Sequence, residues 1–219
     1  MQQNVNQDVN QKDEQNNEPV EYSFFAMLDR MQYINRWGLM RNNRTENIKE
    51  HSMDVAMVAH ALAVIRNCIC LNGRPPIDPL YVMGVAMLHD ATEIITGDLP
   101  TPIKYRNPEI TRAYKNVEGQ AADKLLSLLP EQLRGEYRDL FLPDLSDPIK
   151  EESHRLVKAA DRICAYTKCI TEEKSGNHEF SSAKVAILSS ILKLNYPEVT
   201  YFFAHFIPAY GMTLDEISE

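Results

Sequence analysis

The sequence lacks the long runs of Lys and Arg that are typical of proteins that bind duplex nucleic acid or anionic membranes. Its 219 residues carry 23 Lys and Arg against 31 Asp and Glu, which gives a formal net charge of −8. This balance argues against a nucleic-acid polymer or a membrane as partner. It does not exclude a small phosphorylated substrate, because a metal and one or two cations can reverse the local potential.

Cysteine is scarce, and no long apolar run is present. The four cysteines are Cys68, Cys70, Cys164 and Cys169; they form no C-x-x-C zinc pattern, and no signal peptide precedes them. They are interpreted as core residues of a reduced, cytoplasmic protein, with no disulfide between Cys68 and Cys70 because both fall in one predicted helix. No apolar run reaches the roughly 20 residues that a membrane span needs.

Strand signals are essentially absent, and apolar side chains recur at helical spacing. The sequence predicts helices at residues 22–33, 45–65, 80–95, 109–129, 131–141, 153–173, 178–194 and 201–206. Thr45 or Glu46 is expected to cap the second helix, and Gly97 the third. The intervening segments 34–43, 72–79 and 98–108 are predicted as turns or loops. The fold class is therefore all-α, as an irregular multi-helix bundle rather than a regular four-helix bundle.

The composition divides the chain into two parts. Residues 1–19 are dominated by Gln, Asn, Asp and Glu and are predicted to be a disordered tail, because they offer almost no apolar surface to bury. Residues 20–219 are long enough for a full core and are predicted to form one domain.

Polar residues interrupt three apolar helical faces. His51 precedes Val55 on an inward stripe, Asp161 lies between Val157 and Cys164, and His89 and Asp90 end the apolar run 81–88. A buried carboxylate costs free energy unless it is paired or coordinates a metal. The two imidazoles and two carboxylates predict a divalent-metal site that suits manganese, cobalt, iron, magnesium or zinc. Each residue alone has a simpler interpretation, such as a hydrogen-bonded core histidine or an Asp161 paired with a nearby arginine.

The order His51, His89-Asp90, Asp161 is similar to the H…HD…D signature of the HD-domain metal-dependent phosphohydrolase superfamily. Within it, the chain resembles the bacterial 5′-deoxynucleotidase family from about Tyr22 onward. The segments that carry the resemblance are 34–41 (INRWGLMR), 44–52 (RTENIKEHS), 87–93 (MLHDATE), 96–105 (TGDLPTPIKY), 156–161 (LVKAAD) and 214–218 (LDEIS). Gly38 departs from the family, which has a proline there.

The resemblance implies an HD-domain enzyme that hydrolyses deoxyribonucleoside 5′-monophosphates to deoxynucleoside and phosphate, and it suggests a homodimer. It implies one divalent metal ion and assigns these residues: metal ligands His51, His89, Asp90 and Asp161; catalytic acid/base residues Glu93 and Asp98; substrate-binding residues Arg36 and Trp37. Lys104 is an additional candidate for a phosphate contact.

The residue types predict a single in-line displacement by metal-bound water, since no Ser or Cys nucleophile motif is present. Glu93 is expected to orient or deprotonate that water, and Arg36 to bind phosphoryl oxygens. Asp98 is expected to protonate the leaving 5′-oxygen or to bind the sugar hydroxyl. Trp37 is expected to exclude a 2′-hydroxyl by its shape.

Each assignment has a structural alternative. Arg36 could be a surface arginine or could bridge a loop, Trp37 could anchor the core, and Asp98 could begin a turn. Glu93 could pair with a nearby cation such as Lys104, and Lys104 could be a solvated lysine. Two functional alternatives also remain: another HD-type reaction on cyclic nucleotides or nucleoside triphosphates, or a non-catalytic helical module that senses a ligand.

Overall fold

The computed structural model describes residues 21–104 and 106–218, so the predicted tail at 1–19 lies outside the described part. The helices in chain order are α1 (Phe24–Asp29), α2 (Ile48–Cys68), α3 (Pro79–Leu88), α4 (Glu93–Thr96), α5 (Thr101–Lys104), α6 (Pro108–Leu126), α7 (Glu131–Phe141), α8 (Pro148–Lys174), α9 (Ser181–Leu192), α10 (Pro197–His205) and α11 (Leu214–Ser218). Short 3₁₀ helices occupy Arg30–Tyr33, His178–Phe180 and Ile207–Gly211. The described residues contain no strand, only one isolated antiparallel bridge between Asn35 and Asn47. The all-α prediction is confirmed, and none of the helices described is long and apolar enough to cross a bilayer.

The main core lies where α2, α3 and α8 pack together. Val55, Ala59 and Leu62 form a fully buried stripe along α2, because positions four and three residues apart share one helical face. α8 contributes Leu156 and Ile163 to the same core. These three helices are the ones that carry or precede the predicted metal ligands, so the core fixes the relative positions of the ligands.

α2 begins later than predicted, because Asn47 is its N-cap. The Asn47 side chain accepts hydrogen bonds from the backbone N–H groups of Lys49 and Glu50, both at 3.0 Å. The predicted cap at Thr45 or Glu46 is therefore wrong, and Glu46 lies just outside the helix. α2 runs past its predicted end to Cys68 and stops before Cys70, so the expectation that both cysteines lie in one helix is wrong. All four cysteines are free; Cys70, Cys164 and Cys169 are buried as predicted, whereas Cys68 is exposed and is not a core residue.

The predicted helix 80–95 is interrupted by a turn at residues 89–92. α3 ends at Leu88, and α4 begins at Glu93. Within the turn Ala91 N–H donates to Leu88 and Glu93 N–H to Asp90, so the backbone bonds span three residues rather than four. Gly97 follows α4 with φ 72°, which confirms it as the predicted cap, since this conformation favours glycine.

Proline sets the other starting points. Pro108 and Pro148 occupy the first positions of α6 and α8, where Asn107 and Asp147 accept hydrogen bonds from the following backbone. α8 therefore begins five residues before its predicted start at 153. The short helix α5 lies within the segment 98–108, which was predicted to be a loop.

Candidate metal-dependent active site

His51 lies in the first turns of α2 and is fully buried, as its position on the apolar stripe predicts. Its Nε2 atom is 3.0 Å from Asp161 Oδ1 on α8 and 3.7 Å from Asp90 Oδ2 in the turn after α3. Residues from three elements thus meet at one imidazole nitrogen.

His89 presents one ring nitrogen to the same place. Its Nδ1 lies 2.7 Å from the carbonyl oxygen of Ala86. Donation to that carbonyl leaves Nε2 as the nitrogen with a free lone pair. Nε2 is buried, has no hydrogen-bond partner among the residues described, and lies 3.2 Å from Asp90 Oδ2.

These donors fit a divalent cation. One donor atom from each of His51, His89 and Asp90 lies within 4.8 Å of the other two, a spacing that suits nitrogen and oxygen ligands around a single ion. Burial lowers the pKa of His89, but the negative charge of Asp90 outweighs burial and raises this pKa to about 9, as expected where the local potential is negative. Burial raises the pKa of Asp90, but His89 and Arg36 hold it well below its usual range.

Asp161 differs from the prediction in its burial. It lies on the predicted stripe beside the buried Val157 and Cys164, but its own side chain is 40% exposed, so the carboxylate is only partly buried where it faces the site. Asp161 contacts His51 but is not part of the three-residue group whose donor atoms lie close together. Its role as a fourth ligand remains a prediction. Within residues 21–104 and 106–218, no second group of His, Cys, Asp and Glu has this spacing.

Arg36 points into the site from the irregular segment before α2. Its Nη1 donates to Asp90 Oδ2 at 3.0 Å, and its Nη2 lies 3.8 Å from Asp161 Oδ1. The side chain is mostly buried, so it is not a solvated surface arginine. A guanidinium beside two predicted metal ligands is well placed to bind an anionic group that approaches the metal.

Trp37 has φ 58°, an uncommon conformation for a bulky residue. Its indole Nε1–H donates to Glu46 Oε2 at 3.0 Å, and its ring packs edge-on against Phe180 with centroids 5.3 Å apart. A bulky residue keeps this conformation only where its surroundings hold it, and these two contacts hold the indole in place. The substrate-binding role of Trp37 stays a prediction.

Glu46 was given only a capping role by the sequence, yet it lies at the centre of this region. Its Oε1 is 3.2 Å from His51 Nδ1, on the opposite side of the imidazole from Asp161. Burial raises the pKa of Glu46, but His51, Arg36 and the indole hydrogen bond hold it below its usual value. The signal that could have revealed Glu46 is Asn47, whose stronger capping preference leaves the preceding carboxylate free.

Glu93 begins α4 and is 7% exposed, with Oε2 unbonded within the described part of the chain. Burial and the charges of Asp90 and Asp98 raise its pKa to about 9. Asp98, which follows Gly97, is half-buried, and burial also raises its pKa. The Lys104 ammonium lies 2.7 Å from Glu118 Oε1 and over the ring of Tyr114, and its charge acts to lower the pKa of Glu93. The predicted phosphate contact of Lys104 stays a prediction.

The sequence matches the model of a known family, described as 5′-deoxynucleotidase YfbR-like, over residues 23–210. The chain belongs to this family. A 5′-deoxynucleotidase of Yersinia pseudotuberculosis is 48% identical over 195 residues, which are 89% of this chain and 96% of the relative. A 5′-deoxynucleotidase of Yersinia pestis has the same identity and coverage.

Solved structures share the fold. An HD-domain phosphohydrolase of Listeria innocua superposes with a TM-score of 0.71 at 20% identity, over 86% of this chain and 88% of that one. The HD phosphohydrolase of cyanophage S-2L, bound to dA and one catalytic Zn²⁺, superposes with a TM-score of 0.60 at 19% identity. The match covers 86% of this chain and 99% of that one. These likenesses identify the bundle as an HD-domain fold.

Proposed function

We propose that this chain is a metal-dependent 5′-deoxynucleotidase that hydrolyses deoxyribonucleoside 5′-monophosphates to deoxynucleoside and phosphate. The observation that carries the proposal is the position of His51, His89 and Asp90, whose donor atoms lie within 4.8 Å of one another and so could bind one metal ion together. Membership in the 5′-deoxynucleotidase family supports the same activity, as does the 48% identity to enzymes of that name.

His51, His89 and Asp90, with Asp161 completing the set, would hold one divalent ion. When bound, the ion supplies Lewis acidity to the phosphoryl group and to the attacking water. The metal is not specified by these ligands, since mixed nitrogen and oxygen donors suit several divalent ions. The zinc in the cyanophage neighbour makes Zn²⁺ one ion to test first.

Arg36 would bind the phosphoryl oxygens. Its guanidinium is held beside the donor cluster by Asp90, so a dianionic phosphate that reaches the cluster also meets a fixed positive charge. Charge-assisted hydrogen bonds of this kind strengthen as negative charge develops during displacement.

Glu93 and Asp98 would move protons. Glu93 is buried beside Asp90, and burial with the charges of Asp90 and Asp98 raises its pKa to about 9, which supports a role in holding a proton near neutral pH. A cation bound at Asp90 would lower the pKa of Glu93, because it would offset the negative charge of Asp90 that helps to raise this pKa. Glu93 could then accept a proton from water. Asp98 would donate to the leaving 5′-oxygen or bind the sugar.

Trp37 would select the sugar. The indole is fixed by Glu46 on its nitrogen and by Phe180 on its ring, so it forms a wall that cannot easily move aside. A rigid wall would reject an added 2′-hydroxyl by shape and so would give a preference for deoxyribose.

Assembly and location complete the proposal. We propose one domain over residues 20–219 that acts as a homodimer in the cytoplasm. Exposed Met53, Met57 and Val64 follow one outward face of α2 and support an interface of this kind. Light scattering on the purified full chain tests it, and a monomer at micromolar concentration would contradict it.

Elemental analysis combined with phosphate-release assays tests the activity. Metal-loaded protein should release phosphate from dAMP in preference to AMP, and chelation should abolish turnover. Cleavage of dATP alone would instead favour a triphosphohydrolase, and metal-loaded protein without turnover on any nucleotide would favour a sensing module.

Two substitutions separate metal binding from proton transfer. Asp90→Ala should lose the metal, whereas Glu93→Gln should keep the metal and lose roughly 100-fold or more in kcat. Glu109→Gln, an exposed site in the first turn of α6, is the matched control and should behave as wild type. Normal metal content in the Asp90 variant would contradict the ligand set.

A further inference from the structure

The backbone places Glu46 alongside the residues predicted to bind substrate. Arg36 N–H donates to the Glu46 carbonyl at 2.8 Å, and Ile48 N–H donates to the Ile34 carbonyl at 2.9 Å. These bonds flank the antiparallel bridge between Asn35 and Asn47. The segment before α2 is therefore tied to the Arg36–Trp37 segment by main-chain bonds, which fixes the origin of the Glu46 side chain.

The two oxygens of Glu46 face three different residues of the site. Oε2 accepts the indole hydrogen of Trp37 at 3.0 Å. Oε1 lies 3.2 Å from His51 Nδ1 and 3.9 Å from Arg36 Nε. Neither of those nitrogens has a hydrogen-bond partner of standard geometry among the residues described, and both are buried. Glu46 is itself largely buried, with its side chain 13% exposed, so its charge is weakly screened.

A carboxylate at His51 Nδ1 has a defined chemical effect. It favours the tautomer that carries hydrogen on Nδ1, and this tautomer leaves the lone pair on Nε2, the atom that faces Asp90 and Asp161. Carboxylates that hold metal-binding histidines in this way fix the ring orientation and increase the basicity of the ligand.

The contact with Trp37 has a second effect. Trp37 stays in its positive-φ conformation only if its surroundings hold it there. The indole hydrogen bond to Glu46 and the packing against Phe180 supply that restraint. One carboxylate thus restrains the wall of the proposed sugar site and orients a proposed metal ligand.

We propose that Glu46 is a positioning residue that couples the metal ligand His51 to the substrate-binding residues Arg36 and Trp37. The proposal rests on the proposed function for the roles of these three residues, and it adds the link between them. Removing the carboxylate should weaken metal binding and also free the indole, two effects that a residue acting only on α2 would not combine.

Three variants of the full chain test the link. Glu46→Ala removes both contacts. Glu46→Gln keeps an oxygen acceptor for the indole but removes the charge that faces His51 and Arg36. Glu50→Gln removes one carboxylate charge at an exposed position in the first turn of α2 and is the matched control.

Zn²⁺ titration of the metal-stripped proteins is the first measurement. Both Glu46 variants should bind Zn²⁺ about 10- to 100-fold more weakly than wild type, and Glu50→Gln should bind it normally. Wild-type Zn²⁺ affinity in Glu46→Gln would overturn the proposal, and this variant serves if Glu46→Ala does not fold.

Tryptophan fluorescence is the second measurement, and Trp37 is the sole tryptophan of the chain. Glu46→Ala should shift its emission and increase quenching by acrylamide, whereas Glu46→Gln and Glu50→Gln should match wild type. Unchanged emission and quenching in a folded Glu46→Ala would overturn the link to Trp37. Neither measurement needs turnover, so a failure of the proposed function would be seen separately, as wild-type protein that binds Zn²⁺ but does not hydrolyse dAMP.

Discussion

Arg36 and Asp90, 54 positions apart in the sequence, are joined by an ion pair in which Nη1 donates to Oδ2 at 3.0 Å. The same oxygen lies 3.2 Å from His89 Nε2 and 3.7 Å from His51 Nε2. The guanidinium therefore shares its anionic partner with the proposed metal ligands. A bound cation and Arg36 would compete for Asp90, and a phosphate would relieve that competition by pairing with both.

Replacing Arg36 with methionine distinguishes the effect of its guanidinium from that of the bound metal ion. Arg36→Met should bind Zn²⁺ at least as tightly as wild type, because a competing positive charge is removed from Asp90. It should lose about 10- to 100-fold in kcat/KM for dAMP, since a hydrogen bond to a charged group contributes about 1.5–3 kcal/mol. Steady-state kinetics and Zn²⁺ titration measure both effects.

Arg41→Met, an exposed arginine of the same segment, is the control for this change and should match wild type. Loss of Zn²⁺ from Arg36→Met would mean that the arginine supports the ligand geometry rather than the substrate.

Shortening Trp37 should relax the selection between sugars. Trp37→Leu removes the wall that is fixed by Glu46 and Phe180. The ratio of kcat/KM for dAMP over AMP should fall about 10-fold, chiefly through better use of AMP. Tyr33→Leu, at an exposed aromatic just before this segment, should leave the ratio unchanged. An equal loss with both nucleotides would show that Trp37 only anchors the core.

Helix positions followed from apolar periodicity, whereas helix ends depended on local caps. Helix α7 has its predicted bounds, 131–141. The start of α8 was misplaced because the capping side chain of Asp147 and the following proline outweigh a polar first turn. The break after Leu88 was also unforeseen, since the sequence 80–95 is apolar enough to continue as one helix. There the Ala86 carbonyl accepts from the His89 side chain, a bond that periodicity cannot reveal.

The site was predictable where helical faces decide it. His51 begins one apolar helical face and His89 ends another, and both faces pack into the same core, so the two rings lie near each other with centroids 5.4 Å apart. Periodicity gives the face of a side chain but not its depth, so the exposure of Asp161 was missed. The position of Glu46 depends on main-chain bonds to residues 34–36, and such long-range pairing has no periodic signal.

Glu172 ties the end of α8 to the segment that precedes α2. Its carboxylate accepts from the backbone N–H groups of Asn43 and Arg44, from Asn177 and from Lys168. Burial opposes ionisation, but the bonds from Lys168 and Asn43 lower the pKa of Glu172 to about 2. Glu172→Gln should therefore lower the free energy of unfolding at neutral pH by about 1–3 kcal/mol. Glu173→Gln, the next residue, pairs with Lys184 in a more exposed position and should cost under about 1 kcal/mol.

Acid should remove the difference between wild type and Glu172→Gln. The folded pKa of Glu172 lies below its usual value of 4.5, so its stabilisation is complete above that pH and is lost as pH falls toward 2. Urea unfolding at pH 7, 5 and 3 should show the two free energies converging. A gap that stays constant down to pH 3 would contradict a stabilising role of the ionised carboxylate.

Arg66 is fully buried at the end of α2, and Glu152 is its carboxylate partner. Glu152 accepts from Arg66 Nε at 2.7 Å and from Nη2 at 2.6 Å, and it also accepts from Arg74 at 2.9 Å. Removing Glu152 would leave the Arg66 guanidinium without its bidentate partner in the core. Glu152→Ala should therefore lower the free energy of unfolding by about 3 kcal/mol or more.

Removing Arg66 instead of Glu152 should lower the free energy of unfolding by less. In Arg66→Met, Glu152 keeps Arg74 and is 21% exposed, so no isolated buried charge remains. Urea unfolding of both variants should rank Glu152→Ala as the less stable. Asp123→Ala breaks the exposed pair with Arg138 and should cost under about 1 kcal/mol. Equal losses in Glu152→Ala and Asp123→Ala would show that burial of Arg66 does not set the energy of this pair.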